Sequence, residues 1–368
     1  MSSPTTAPSQ EGLYTPLADS NEIRLLYLQP RASSNIITCV TKHVKLSEKP
    51  QYEALSYEWG PKDTEQISFN GRVYDIRRNL CDALLHLRHE TDERVMWIDA
   101  LCINQTDVQE RNHQVTQMGS IYKDATGVVV WLGVVDEACL KALQVLQSTE
   151  EFPARKDIFS SHSRRPDFLP VLERKDPVLE KEQALVMESF LALSQRSYWT
   201  RLWIVQELFL ALRLHIQCGE YSLPWDRLKD FVFSKQARGT VHTRDTAERL
   251  NRSLMARFCI FCPRGIPHPI NKSTLYSLCI RYGDSKCENV LDRVYGLSAL
   301  AHECCRNAVL IDYGLTIDEV LGQVISHSYT HFARWTRQVD VGTLKYIVKG
   351  SNDPPQPYLK RLQSFLGL

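Results

Sequence analysis

The chain lacks any excess of one charge. Its 368 residues hold 44 Lys+Arg against 43 Asp+Glu, a formal net charge of +1, so bulk electrostatics gives no footprint for nucleic acid. It also lacks a long apolar run: none approaches the ~18 residues that a membrane helix requires. The opening "MSSPTTAPSQEGLYTPLADS" has neither a basic start nor an apolar core. It reads as a flexible tail over residues 1–20 and not as a signal peptide. These absences point to a cytoplasmic chain without nucleic-acid or membrane partners. No internal repeat is present. Nor are the local signatures of common chemistries: there is no GxxxxGK[ST], no GxGxxG after a strand, no HExxH and no GxSxG.

Cysteine is not scarce, but its eleven copies are odd in number and scattered through apolar segments. Reduced thiols fit this usage better than a disulfide framework. Cys259 and Cys262 form a CxxC with Cys279 and Cys287 downstream, yet "RFCIFC" has the apolar stripe of a helix. Buried thiols are the expectation, with no resident metal. Cys102 and His113 have nothing to fix them together as a nucleophile and base, and structural use is expected of both.

What is present is an alternation of strand-like and helix-like segments. "YEALSYEWG" is a β-prone run closed by a turn, and "QISFNGRVYDI" carries Asn70-Gly71 between two β-prone runs, a strong hairpin signal. "NLCDALLHLR" spaces Leu80, Ala83, Leu84 and Leu87 as a helix, with Asn79 at its N-cap. "VMWIDALCI" reads as a strand buried on both faces. The helix that follows has Thr106 and Gln109 in capping-box register, with Val108, Val115, Met118 and Tyr122 along one face. "GVVVWLG" is a further strand and "DEACLKALQVLQ" a further helix. Strands alternating with helices predict βαβ units and a mainly parallel sheet, with the hairpin as an insertion. Residues 149–181 shift to charged and Pro/Ser composition, as a surface insert does. "LHIQCGEY" is a candidate last strand, and residues 221–368 read as mostly helical.

Ligands of open parallel sheets bind at the carboxyl ends of the strands. Two loops qualify: "SYEWGPKD", with Ser56, Glu58, Trp59, Gly60, Lys62 and Asp63, and the segment from Asp99 through Asn104 and Gln105. The plainer role of Asp99, Asn104 and Gln105 is to cap the following helix. The sharpest single candidate is Glu207 in "SYWTRLWIVQELF". Its helix has almost no polar face. Either the carboxylate points outward, or a buried cation such as Arg201 or Arg213 pairs with it, or it serves chemistry with its pKa drawn upward by desolvation.

Three blocks, "YEALSYEWG", "WIDALCINQTDVQERNHQVTQMGSIYKDATGVVVWLG" and "SYWTRLWIVQEL", closely resemble in order and spacing the signature of the fungal heterokaryon-incompatibility (HET) domain. The resemblance implies a HET domain over residues 21–220 (blocks at 52–210), acting in fungal non-self recognition and programmed cell death. "ENVLDRVYGLSALA" and "IDYGLTIDEV" are similar to the segment that follows the domain in that family. The HET domain is in turn similar to TIR domains, which implies a TIR-like, flavodoxin-like α/β fold with flanking helices. "SYWTRLWIVQEL" resembles the TIR helix whose glutamate serves NAD-cleaving members, and Glu207 is the matching position.

On that resemblance, NAD is a candidate substrate and no cofactor is required. Glu207 would stabilise an oxocarbenium-like transition state. Ser56, Gly60, Asp99, Asn104 and Gln105 would line the nucleotide cleft, Trp59 or Trp203 would stack on a flat ring, and Lys62 would meet a phosphate. Core packing is the plainer role of the tryptophans, and a solvated turn that of Lys62. The chain shows no assembly motif, so self-association through the C-terminal helices or a protein partner is implied. A non-catalytic signalling module and a scaffold turned to small-molecule metabolism are the alternatives.

Overall fold

The structure, a computed structural model, describes residues 12–148, 177–234, 244–261 and 273–336. Tail residues 1–11, insert residues 149–176 and Cys262 lie outside the described residues.

Two runs that the sequence reading did not assign begin the sheet: β1 (Glu22–Leu28) and β2 (Thr38–Lys45). A connection over 29–37 is too short for a crossover, so the two pair antiparallel. β3 (Glu53–Tyr57) follows, then β4 (Thr64–Phe69) and β5 (Arg72–Arg77). Asn70 and Gly71 join the last two with φ of 50° and 76°, the pair of left-handed residues that a two-residue hairpin demands.

β6 (Arg94–Trp97), β7 (Gly127–Trp131), β8 (Leu214–Cys218) and β9 (Tyr221–Pro224) complete the described sheet. Its strand order is β5-β4-β2-β1-β6-β3-β7-β8-β9. The centre, β6-β3-β7-β8, is parallel, as the βαβ pattern predicts. The whole is mixed, however, and not mainly parallel. β1 runs antiparallel to both β2 and β6, and β4–β5 and β8–β9 are hairpin pairs. The Asn70-Gly71 hairpin extends the sheet, since β4 pairs parallel with β2.

The helices between strands are α1 (Arg78–Leu87), α2 (Asp99–Cys102), α3 (Val108–Asp124) and α4 (Glu137–Gln147). α5 (Pro177–Ser194) and α6 (Ile204–Leu210) precede β8. Beyond β9 come α7 (Trp225–Phe233), α8 (Arg244–Arg252) and α9 (Leu254–Phe261). The last four are α10 (Leu275–Arg281), α11 (Asp292–Ser298), α12 (Glu303–Arg306) and α13 (Ile317–Thr336). Leu80, Ala83, Leu84 and Leu87 of α1 are buried, as their spacing predicts.

Three local expectations are corrected. Asn79 is not an N-cap: it lies inside α1, donates to the Glu58 carbonyl and accepts from Trp131 Nε1 at 2.9 Å, tying β3 and β7 ends to the helix. Asp107, not Thr106, caps α3 through the amides of Gln109 and Glu110. A short carboxylate outcompetes the Thr hydroxyl, which instead donates to Asn104 Oδ1. Starting one residue later, the helix leaves Val108 exposed and buries Gln114 and Ile121. "VMWIDALCI" is likewise no continuous strand, because β6 stops at Trp97 and α2 starts at Asp99.

A bidentate pair fixes α3 against the sheet. Buried Arg24 on β1 donates to Glu110 at 2.5 and 2.9 Å, and Glu110 also accepts from the Asn104 amide at 2.7 Å. One continuous apolar core runs from Leu13 to Val324 and includes both the sheet and the C-terminal helices. Where α3 meets the C-terminal part, Gly119 permits the approach: a Cβ there would lie 2.5 Å from the Ala299 Cβ. We expect Gly119→Ala to lower stability by about 1–3 kcal/mol through overpacking, read as a reduced melting temperature. An unchanged melting temperature would show that the interface yields freely.

Candidate functional site

The parallel strands β3 and β6 end side by side, and both loops named from the sequence begin there. Past β3 the chain turns at Gly60, whose φ of 71° favours glycine. Past β6 the short α2 begins with Asp99. A cavity of about 750 Å³ opens at these strand ends, within the range of small-molecule sites. One wall carries Trp59, Gly60, Asp99 and Gln105; α3 supplies Arg111, Val115 and Met118; Arg201 and Trp203 come from the third sequence block. The remaining lining, which includes Lys286, Glu288, Asn289, Asp292 and Tyr313 from the C-terminal part, was not anticipated from the sequence.

Asp99 accepts from Trp59 Nε1 at 2.9 Å and from the Ala100 amide at 2.8 Å. Gln105 Nε2 donates to the Asp99 carbonyl at 2.9 Å. Desolvation raises the Asp99 pKa above the ordinary carboxylate value, against the pull of Arg201 and the hydrogen bonds from Trp59, Ala100 and Tyr57. Trp59 also lies under the Arg77 guanidinium, 5.0 Å from the ring centroid.

Glu207 is 1% exposed and lies off the cavity wall. It accepts from the Ser56 hydroxyl, which also pairs with the Tyr198 hydroxyl at 2.7 Å. Its cation is Arg201, Nη1 to Oε2 3.5 Å; Arg213 is exposed and serves no such role. Burial pushes the Glu207 carboxyl up to about 7, with Arg201 and Ser56 opposing. Arg201 faces the cavity with its side chain 14% exposed. Burial works against its charge, but Glu207 and Asp99 outweigh it and raise its pKa. Two desolvated carboxylates therefore share one guanidinium, and only Asp99 of the two lines the cavity.

The other expected residues divide. Trp59, Gly60, Asp99, Gln105 and Trp203 line the cavity. Ser56 is fully buried behind it. Lys62 is exposed on the turn and absent from the wall. Asn104 is absent too: its side chain accepts from Thr106, so it shapes the approach to α3. Cys102 and His113 are not brought together. The thiol accepts from the Ile98 amide and burial holds its pKa up at about 12, while His113 contacts Gln114 and Gln117.

A second acid cluster completes the far wall. Asp292 accepts from the Tyr313 hydroxyl at 2.6 Å and from Trp203. Desolvation raises its pKa while these bonds and Arg111 oppose. Arg111 stacks over the Tyr313 ring at 4.5 Å. Backbone bonds hold this wall to the third block: Leu202 N to Lys286 O is 2.8 Å and Lys286 N to Thr200 O is 2.6 Å. Asn112 on α3 brackets the Tyr313 loop, donating to Asp312 at 3.0 Å and accepting from the Tyr313 amide at 3.1 Å. The sequence signal for this wall was "ENVLDRVYGLSALA", read in part as a helix, and "IDYGL", singled out only by the family resemblance; neither was assigned to a site.

Comparisons with known proteins place the first wall's residues within a matched family region. A family model described as "Heterokaryon incompatibility protein (HET)" matches residues 52–207. "Heterokaryon incompatibility protein 6, OR allele" of Neurospora crassa is 30% identical over 353 residues, covering 84% of this chain and 51% of that protein. The chain thus spans about half the length of this relative. No solved structure matches.

The buried carboxylates make stability pH-dependent in a defined direction. Between the ordinary 4.5 and about 7, folded Glu207 keeps a proton that the unfolded chain has released. This group therefore lowers stability as pH rises through that window, and the loss is complete above about 7. We expect Glu207→Gln to flatten that part of a melting-temperature profile, whereas an unaltered profile would contradict the raised pKa. Arg201→Met leaves both carboxylates without their shared cation and should cost about 3–5 kcal/mol near pH 8, measured by urea unfolding.

Proposed function

Given that residues 52–207 form a heterokaryon-incompatibility (HET) domain, we propose that the chain is an effector of fungal non-self recognition whose output is hydrolysis of NAD at the nicotinamide–ribose bond. The observation that carries this reading is the Asp99–Arg201–Glu207 cluster at the base of the cavity. Trp59 and Trp203 offer faces for flat rings. Arg111, Arg201 and Lys286 offer cations for the diphosphate. On heterolysis the bonding pair leaves with nicotinamide, which needs no strong acid because it departs from a cationic state. The positive charge left on the ribose meets the Asp99 carboxylate, and water then adds at the sugar carbon and releases a proton. Asp99 thus takes the role that the TIR resemblance assigns to Glu207. Glu207 positions Arg201 and sets how much negative charge that cation must balance.

One observation favours a second reading. Glu207 is sealed by Ser56, Tyr198 and Arg201 and has no face on the cavity. A non-catalytic signalling module would use the same cluster as a rigid core that holds the two walls together.

Nicotinamide release from NAD by the concentrated, purified chain separates the two. Under the hydrolytic reading, Asp99→Asn should lower the rate by about 10²–10³-fold with the fold intact. Glu207→Gln should lower it less and remove a pH dependence centred near 7. Absence of nicotinamide release at every protein concentration, with death signalling retained in Asp99→Asn, would leave the signalling reading in its place.

A further inference from the structure

Away from the cavity, a tight cluster of metal-binding side chains lies in the C-terminal part. Among the described residues, Cys304, Cys305 and His327 place one ligand atom each within 4.8 Å of the others. They come from two elements, α12 and α13. His302 stands beside them with Nδ1 3.0 Å from the Cys304 Sγ. Two thiols and an imidazole are donors that suit zinc, with a fourth position left for water. The spacing also suits it: zinc–sulfur and zinc–nitrogen bonds of roughly 2.3 and 2.0 Å imply ligand-to-ligand edges of roughly 3.3–3.8 Å in a tetrahedron. Small side-chain shifts would close the cluster onto one ion.

The local fold gives a reason for such a staple. α12 is four residues long, too short to be stable through its own hydrogen bonds. Its support is the packing of Cys305 and Val309 and the cap at His302, whose Nδ1 accepts from the Cys304 amide at 3.3 Å. Between α12 and α13 the chain makes the loop that carries Asp312 and Tyr313, which Asn112 brackets, and Tyr313 meets Asp292 at the cavity. A metal joining α12 to α13 would close both ends of that loop and reduce the entropy lost when it orders.

We propose that Cys304, Cys305 and His327 hold a structural zinc ion, with water in the fourth position, that pins α12 to α13 and so fixes the loop bearing Tyr313. Both thiols bind as thiolates, their protons passing to solvent. The site is distinct from the CxxC at Cys259 and from the cavity, and it does not depend on what the cavity binds. It also departs from the sequence expectation of no resident metal.

Purified, reduced full-length chain tests it without any activity assay. Zinc added to chelator-stripped protein should bind at one equivalent per chain and raise the melting temperature. Cobalt(II) in its place should give the thiolate-to-cobalt charge-transfer absorption of a tetrahedral sulfur site. Cys304→Ser and His327→Ala should each weaken binding by at least tenfold, while Cys287→Ser binds as the parent does. Cys304 is only partly buried, so its serine variant tests ligation with little disturbance of the core. Failure of stripped parent protein to take up zinc, no shift in melting temperature, or cobalt absorption that survives in Cys304→Ser and His327→Ala would overturn the proposal.

Discussion

The arrangement depends on one guanidinium between two carboxylates. Arg201 is drawn into the protein by Glu207 and Asp99, and it offsets part of the desolvation that still holds both carboxyls above their ordinary range. Isolated buried ions cost several kcal/mol, roughly, even after relaxation. A shared cation with hydrogen bonds from Ser56, Trp59 and Ala100 brings that cost down. The result is a polar knot at the strand ends, where a parallel sheet offers its natural crevice. It also joins the three blocks of the HET domain, since Ser56, Asp99 and Arg201 come from one block each.

The second constraint is that the cavity is not built by the HET domain alone. The matched region ends at Glu207, but Lys286, Asp292 and Tyr313 also line the cavity. The continuous core and the close approach at Gly119 mean that the C-terminal helices act as part of the site's structure. Both regions line the cavity, and Lys286 couples them directly, since its backbone is bonded to Thr200 and Leu202.

Legibility in the sequence followed the range of the interactions. The Asn70-Gly71 turn, the buried face of α1 and the βαβ run are local, and local rules anticipated them. The mixed sheet was not legible, because pairing of β1 with β6 joins residues some seventy positions apart and no pattern within β1 announces its direction. The α3 cap misled because Thr106 and Asp107 are adjacent and both can cap; the carboxylate prevails. Glu207 could be singled out but not oriented. Ile204, Val205, Gln206, Glu207 and Leu208 are all buried, so the helix has no exposed face against which to set a direction. Of the crevice residues, Asp99, Trp59, Gly60 and Gln105 were placed by the strand-end rule. Asp292 and Tyr313 were not, since tertiary packing alone brings them there.

Glu207 holds a proton near neutrality because burial outweighs its arginine. A carbon-13 NMR titration of glutamate side-chain carboxyls tests it most directly, with Glu207→Gln identifying the resonance. One carboxyl should show a midpoint at about 7 and vanish in the variant. A Glu207 midpoint in the ordinary range near 4.5 would contradict it, since the carboxylate would then be a plain ion-pair partner whose proton plays no part at neutral pH.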